Sequence, residues 1–500
     1  MASGIVSWGT YLPYWRLERG SIGAAFGTSS GRGTRAVASY DEDTTTLGVE
    51  AARRALQVAG VPDPDDLFFS TPDPAYLDKT NATTVHAALG LPSGSGAYDL
   101  CGSVRSGWAA MRMAALAGER HPAIAVLSDL RTGLPGGPEE SQGGDGAAAF
   151  VFAPEGAVAD VLGQASVTDE FLDRWRVPGE TASRQWEDRF GEESLVPLAR
   201  KAFAEALRRA ALTVDDIDHL VVAGLHARAV GSLRSTLGVA AERVAPDYAA
   251  RVGNLGAAQA ATGLADVLER ASSGEVIVVV GVADGADAVV LRTTPALVGV
   301  QAARRQAGLV DVADAVDHGR TDLPYAVYLT WRGNLRREPP RRPDPERPDA
   351  PAMRRNEGWK FGFAASRCLE CGFVHLPPTR VCLSCHSVDR MEPLRLADVR
   401  GTVATYTVDQ LAYSLSPPMV GAVIDFDGGG RYRGEMTDVD LGALAIGTRI
   451  EMTFRCFYTA QGVHNYFWKA RPVSDSVGAP DQVAAGRGAV PAAVRREGRG

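Results

Sequence analysis

Residues 101–129, CGSVRSGWAAMRMAALAGERHPAIAVLSD, decide how the first three hundred residues fold. They begin with a polar, small-residue start and continue into an alanine-rich helical run. A glycine-containing turn and the apolar strand pattern AIAVLSD follow. The same order returns at 254–284, NLGAAQAATGLADVLERASSGEVIVVVGVAD. A second pair confirms the repeat. EAARRALQVAGVPDPDDLFFS (50–70) and FAEALRRAALTVDDIDHLVVAG (203–224) each read as helix, acidic turn and apolar strand. Two copies in one order predict two similar α/β halves packed as one unit. The reading places Cys101 and Asn254 at equivalent positions, each at the start of a helix, facing each other across the two-fold.

The bulk composition limits the function. The chain has 500 residues, enough for two or three domains. Lys and Arg number 52 against 60 Asp and Glu, so the basic excess of a nucleic-acid binder is absent. Six cysteines in this length do not make a disulfide scaffold, and no signal peptide or membrane span is legible. A reducing cytoplasm, with no membrane or nucleic-acid partner, is the expectation.

The expected domains are 1–165, the half with Cys101; 166–331, the second half; and 332–355, a Pro/Arg-rich linker. A zinc ribbon at 356–390, an OB-type barrel at 391–475 and a disordered tail at 476–500 complete the chain. The ribbon rests on CLECGFVHLPPTRVCLSC (368–385). Cys368, Cys371, Cys382 and Cys385 form two Cys-x2-Cys knuckles, a spacing that closes tetrahedrally on Zn2+. Four thiolates leave no open position, so such an ion is structural. Five short strand patterns separated by glycine turns predict the barrel.

Three residues could carry chemistry. Cys101 sits where an apolar run ends, and a helix start there would favour its thiolate. His226 directly follows the strand pattern HLVVAGL, and Asn254 precedes a small-residue helix. Taken singly, they read as a packing thiol, a loop histidine and a helix cap. Taken together, they place Cys, His and Asn at the strand–helix junctions of a duplicated fold.

These motifs, with GIVSWGTYLPYWRL near the N-terminus, GGDGAAAFVF (143–152) and YLTWRGNL (328–335), resemble the thiolase superfamily. The similarity is to archaeal-type HMG-CoA synthases and ketoacyl synthase III over about residues 1–335. Residues 356–475 resemble the zinc-ribbon and OB-fold domain that accompanies such enzymes. The resemblance implies a duplicated five-layer αβαβα core and a homodimer. It also implies an acyltransferase that loads an acyl group from acyl-CoA or acyl-carrier protein on Cys101, then passes it to a carbon nucleophile. In that scheme His226 and Asn254 donate hydrogen bonds to the thioester or enolate oxygen, and the OB domain can bridge pathway enzymes. The sequence departs from the family at STPDP (70–74), where Thr71 replaces the catalytic Glu and Asp73 is the candidate acid/base. True HMG-CoA synthesis, carbon–carbon cleavage in lipid breakdown and a non-catalytic scaffold remain as alternatives.

Overall fold

The computed structural model describes residues 3–473, apart from 342 and 344. The expected disordered tail, 476–500, lies outside the described residues. The first half contributes β1 (Gly4–Tyr11), β2 (Asp66–Thr71), β3 (Gly96–Cys101), β4 (Ala123–Asp129) and β5 (Gly146–Ala153). The second starts before the expected boundary at 165, because β6 (Ala159–Val167) pairs with its strands, and it also contributes β7 (His219–Gly224), β8 (Val276–Val282) and β9 (Ala286–Thr293). They form one sheet in the order β7-β8-β9-β6-β1-β5-β4-β2-β3. The halves join in the sheet where β1 pairs with β6, through Gly4–Asp160 and Ile5–Ala159. The duplication is visible in the pairing. β2 runs parallel to both β3 and β4, as β7 runs parallel to β8. A single parallel bridge, Leu220–Val244, stands where the second half would have its counterpart of β3.

Strand alternation builds the layers. On β4, Ile124 and Val126 enter one apolar cluster, whereas Ala125 and Leu127 enter another. On β8, Val278 and Val280 face outward, and Ile277 and Val279 face inward. Helices α1 (Thr44–Gln57) and α2 (Ala82–Leu89) cover the outer side of the first half. Helix α3 (Ser106–Ala117) lies between the halves, and α4 (Asp188–Ala210) covers the outer side of the second. Following α5 (Ala227–Thr236), α6 (Gln259–Arg270) joins α3 in the central layer. The result is the five-layer αβαβα order. Small residues make the central layer possible: Ala110, Ala114, Ala261 and Ala265 are all buried there. The start of α1 is fixed by a capping box, in which Asp43 accepts from the Thr46 N–H and Thr46 accepts from that of Asp43.

Beyond the core, residues 350–355 form a short helix. The four cysteines lie on and between β10 (Ala364–Cys368), β11 (Val374–His375) and β12 (Met391–Arg395). Then come β13 (Gly401–Asp409), β14 (Met419–Phe426), β15 (Arg431–Met436), β16 (Arg449–Ala460) and β17 (Val463–Pro472). They close a barrel in the order β13-β14-β15-β17-β16. Barrel residues Met452, Phe454 and Trp468 share one apolar cluster with Leu47, Ala51 and Ala55 of α1. Buried charges cross the same contact. Arg455 pairs with Asp41 (3.2 Å) and Glu42 (2.9 Å), Lys469 with Asp41 (3.0 Å) and Arg471 with Glu50 (2.7 Å). The barrel is thus part of one packed body with the first half. Among the described residues, no helix is long and apolar enough to cross a membrane.

Candidate active site

The parallel strands β2, β4, β7 and β8 end on one side of the sheet, where ligands of open α/β sheets bind. A cleft of about 110 Å³ opens there. Its walls are the turn Gly102–Ser103–Val104, Asp129 at the end of β4 and Arg131 after it, His226 after β7, and Asp284 after β8. Residues 173–176, from the long connection before α4, close it over.

His226 is 4% exposed and caps α5. Its Nδ1 accepts the Ala229 N–H at 3.2 Å. That lone pair is therefore occupied, and the neutral ring carries its proton on Nε2. Nε2 is buried and has no hydrogen-bond partner among the described residues. Gly191 of α4 makes room for the ring. A Cβ there would lie 2.5 Å from both Nε2 and Cδ2 of His226, and 2.6 Å from Asp173 Oδ1.

Cys101 corrects the sequence expectation. It is the last residue of β3, paired in register with Thr71, and α3 begins only at Ser106. The pleat fixes its direction. Leu100 packs on the central cluster, so Asp99 and Cys101 share the opposite face. Asp99 shows where that face leads, because it accepts the Asn81 and Ala82 N–H groups at the start of α2. Cys101 is exposed, and partial desolvation of its thiol first, then the Asp99 charge, pushes it up to about 11. The residue of this segment nearest the start of α3 in the cleft wall is Val104.

Asn254 also differs from expectation. It precedes a 3-10 turn (Gly256–Ala258), with α6 beginning at Gln259. Its Nδ2 donates to the Gly224 carbonyl (2.7 Å), and its Oδ1 accepts the Gly256 N–H (2.9 Å). One Nδ2 hydrogen and Oδ1 are used in this way, which ties the end of β7 to the turn before α6, and the second Nδ2 hydrogen is left to donate. Asp73 reaches the cleft through Arg176, 3.2 Å away. Burial raises its carboxyl and Arg176 opposes the shift.

The charged groups of the cleft escaped the sequence reading. Arg131 pairs with Asp129 (3.3 Å) and Glu139, and Arg174 also pairs with Glu139. Burial, with Arg131 beside it, holds Arg174 down at about 9. Arg105 braces the two halves by pairing with Asp287 (2.9 Å) and donating to the Asp284 carbonyl (2.6 Å). The connection that supplies Arg174 and Arg176 carries no periodic pattern, and its position over the cleft is tertiary.

The hydroxymethylglutaryl-CoA synthase of Methanopyrus kandleri is 30% identical over 297 residues, 57% of this chain and 85% of that protein. This chain belongs to the hydroxymethylglutaryl-CoA synthase family. It is an acyltransferase of the condensing, carbon–carbon bond-forming class. The Aeropyrum pernix hydroxymethylglutaryl-CoA synthase is 29% identical over 350 residues, 67% of the chain and 95% of the relative. A family model for the C-terminal part of 3-oxoacyl-[acyl-carrier-protein] synthase III matches residues 207–293. The model of the ChsH2 C-terminal OB-fold domain matches 395–455.

Solved structures share the fold of this family member's core. Ketoacyl synthase III from Pseudomonas aeruginosa PAO1 superimposes with a TM-score of 0.53 at 24% identity, over 59% of this chain and 99% of its own. PksG, an HMG-CoA synthase from Bacillus subtilis, gives 0.56 at 18%, over 67% and 89%. The curacin-pathway HMG synthase, solved with an acetyl donor-ACP, gives 0.53 at 17%, over 66% and 88%.

The four ribbon thiols are grouped for a metal. Their sulfurs lie within 4.8 Å of one another, with Cys368–Cys385 at 3.6 Å and Cys371–Cys382 at 3.5 Å. Tetrahedral zinc with bonds of about 2.3 Å needs sulfurs roughly 3.8 Å apart. The donor set and its spacing fit.

Proposed function

We propose that the chain holds an acyl thioester, of coenzyme A or an acyl-carrier protein, in the His226 cleft and joins its acyl group to a carbon nucleophile. The buried Nε2–H of His226, with no partner among the described residues, carries this reading. A donor fixed in a dry cleft stabilises the oxygen of a thioester as charge develops on it, by about 3–4 kcal/mol. Asn254 acts by holding the His226 strand end, and Asp73, beside Arg176, is the candidate acid/base. Cys101 is the acyl acceptor in this scheme, and its thiol must turn past Thr71 to meet the substrate.

The direction of Cys101 favours a second reading. With Val104 in the cleft wall and the thiol on the other face, carbon–carbon bond making or breaking proceeds on the bound thioester without an acyl-enzyme. Intact mass spectrometry with acyl-CoA separates the two. An adduct that disappears in Cys101→Ala supports the acyl-enzyme. Turnover by Cys101→Ala with no adduct supports the second reading. Full activity in His226→Ala overturns both.

In the ribbon, Cys368, Cys371, Cys382 and Cys385 would hold one zinc ion, which stabilises the fold and offers no open position to a substrate. We also assign a homodimer. Strand β3 ends the sheet, its outer edge unpaired among the described residues and Tyr98 52% exposed, a surface that a second copy covers. Light scattering on the full chain tests this, a monomer being the opposing result.

A further inference from the structure

A second and larger opening lies between the core and the barrel, and it shares no lining residue with the His226 cleft. It measures about 620 Å³ and is lined by charged side chains of the core and of the barrel. Its carboxylates are already matched. Glu50 pairs with Arg53 (3.0 Å) and Arg471 (2.7 Å), Glu451 with Arg471 (2.7 Å) and Asp398 with Arg53 (2.9 Å). Asp438 pairs with Arg455 (2.5 Å), and Asp440 lies 3.9 Å from Arg320.

Two accessible guanidinium groups in the lining have no carboxylate within ion-pair distance among the described residues, although Glu50 and Glu451 act on Arg54, and Asp427 on Arg400, at longer range. Arg54, on α1, makes one hydrogen bond, to the Thr10 carbonyl at 2.7 Å, and stacks on Tyr11 with Arg471 also over that ring. Arg400, between β12 and β13, is exposed and makes one long contact, to the Ala307 carbonyl at 3.4 Å. A guanidinium has five N–H donors, so most of the donor capacity on both side chains is unspent. Arg16 adds a third cation without a carboxylate partner, but it is 2% exposed and donates to backbone carbonyls.

We propose that this crevice is a binding site for a small oligophosphate-bearing anion, held by Arg54 from the core and Arg400 from the barrel side. A single carboxylate is satisfied by one guanidinium fork. An anion with several charged oxygens on adjacent phosphorus atoms can engage two forks. Because Arg54 lies on α1 and Arg400 directly before the first barrel strand, the bound anion adds a bridge to the contact that already joins barrel and core. Ligand binding to the folded state alone then raises thermal stability by mass action.

The test is calorimetric titration and thermal unfolding of the full chain with sodium pyrophosphate, ADP and citrate. Pyrophosphate is expected to bind saturably and raise Tm, with affinity falling as salt rises. Arg54→Gln and Arg400→Gln should each weaken binding at least about tenfold, a typical loss for a charge-assisted contact. Arg431→Gln, an exposed arginine paired with Asp425, should leave it unchanged. Arg400 is exposed, so its variant keeps the test informative if Arg54→Gln folds poorly. Tighter binding of ADP identifies a nucleotide occupant, and equal binding a free oligophosphate; both support the site. Absence of saturable pyrophosphate binding at millimolar concentration, unchanged affinity in Arg400→Gln, or equal affinity for citrate would overturn it. None of these readouts depends on acyl transfer.

Discussion

Gly191→Ala tests whether His226 performs the chemistry. The new methyl carbon would lie 2.5 Å from the ring's Nε2 and Cδ2. Ordinary contact needs about 3.5 Å or more, so the imidazole must retreat by roughly 1 Å. It cannot approach Asp173, whose Oδ1 is 2.6 Å from the same methyl. A 1 Å error at a reacting centre costs on the order of 100-fold in rate. Stability moves differently. Alanine is better than glycine inside a helix by about 1 kcal/mol, which offsets part of the clash. The expected result is kcat/KM for an acyl-CoA substrate reduced about 100-fold, with Tm changed by only a few degrees. His226→Ala should fall by about 100- to 1000-fold and keep its fold. A Gly191→Ala protein with unchanged kcat/KM, in which NMR shows the His226 ring displaced, would refute the reasoning.

Other perturbations follow from the same geometry. Arg455→Met leaves Asp41, Glu42 and Asp438 buried around a lost cation, and should cost about 3–5 kcal/mol; limited proteolysis should then release the barrel first. Burial raises Glu269 to about 7, with Arg304 opposing the shift. Its folded pKa lies above the unfolded one, so its contribution is full below about pH 4.3 and is lost as pH rises through 7. Urea midpoints between pH 5 and 8 should fall for the wild type, and the slope should flatten in Glu269→Gln. Zinc analysis should give one ion per chain, and chelation should lower Tm while leaving the His226 cleft formed. Asp73→Asn should lower turnover if Asp73 moves a proton, and a much smaller loss in Arg176→Gln would set this apart from loss of the Arg176 pair.

The legible parts of this protein are those set by local pattern. The run at 101–129 and its repeat at 254–284 specify strand, helix and small-residue packing in both halves, because pleat and helical periods are written in consecutive residues. The paired knuckles at 368–385 likewise place four thiols close together by spacing alone. His226 could be placed at the end of a strand for the same reason.

Tertiary structure decided the direction of Cys101. The apolar run ends at Cys101 and the helix begins at Ser106, and one step of the pleat turns a side chain to the opposite face. The sequence pattern could not fix where the strand stopped, so it could not fix the face. Asn254 reads as a helix cap in sequence, and only the packing of β7 against α6 brings Gly224, thirty residues earlier, to one hydrogen of its amide. The arginines of the cleft, and the buried charges that hold the barrel, meet partners up to several hundred residues away. Such charges look like a solvated surface in sequence, because only folding removes the water from around them.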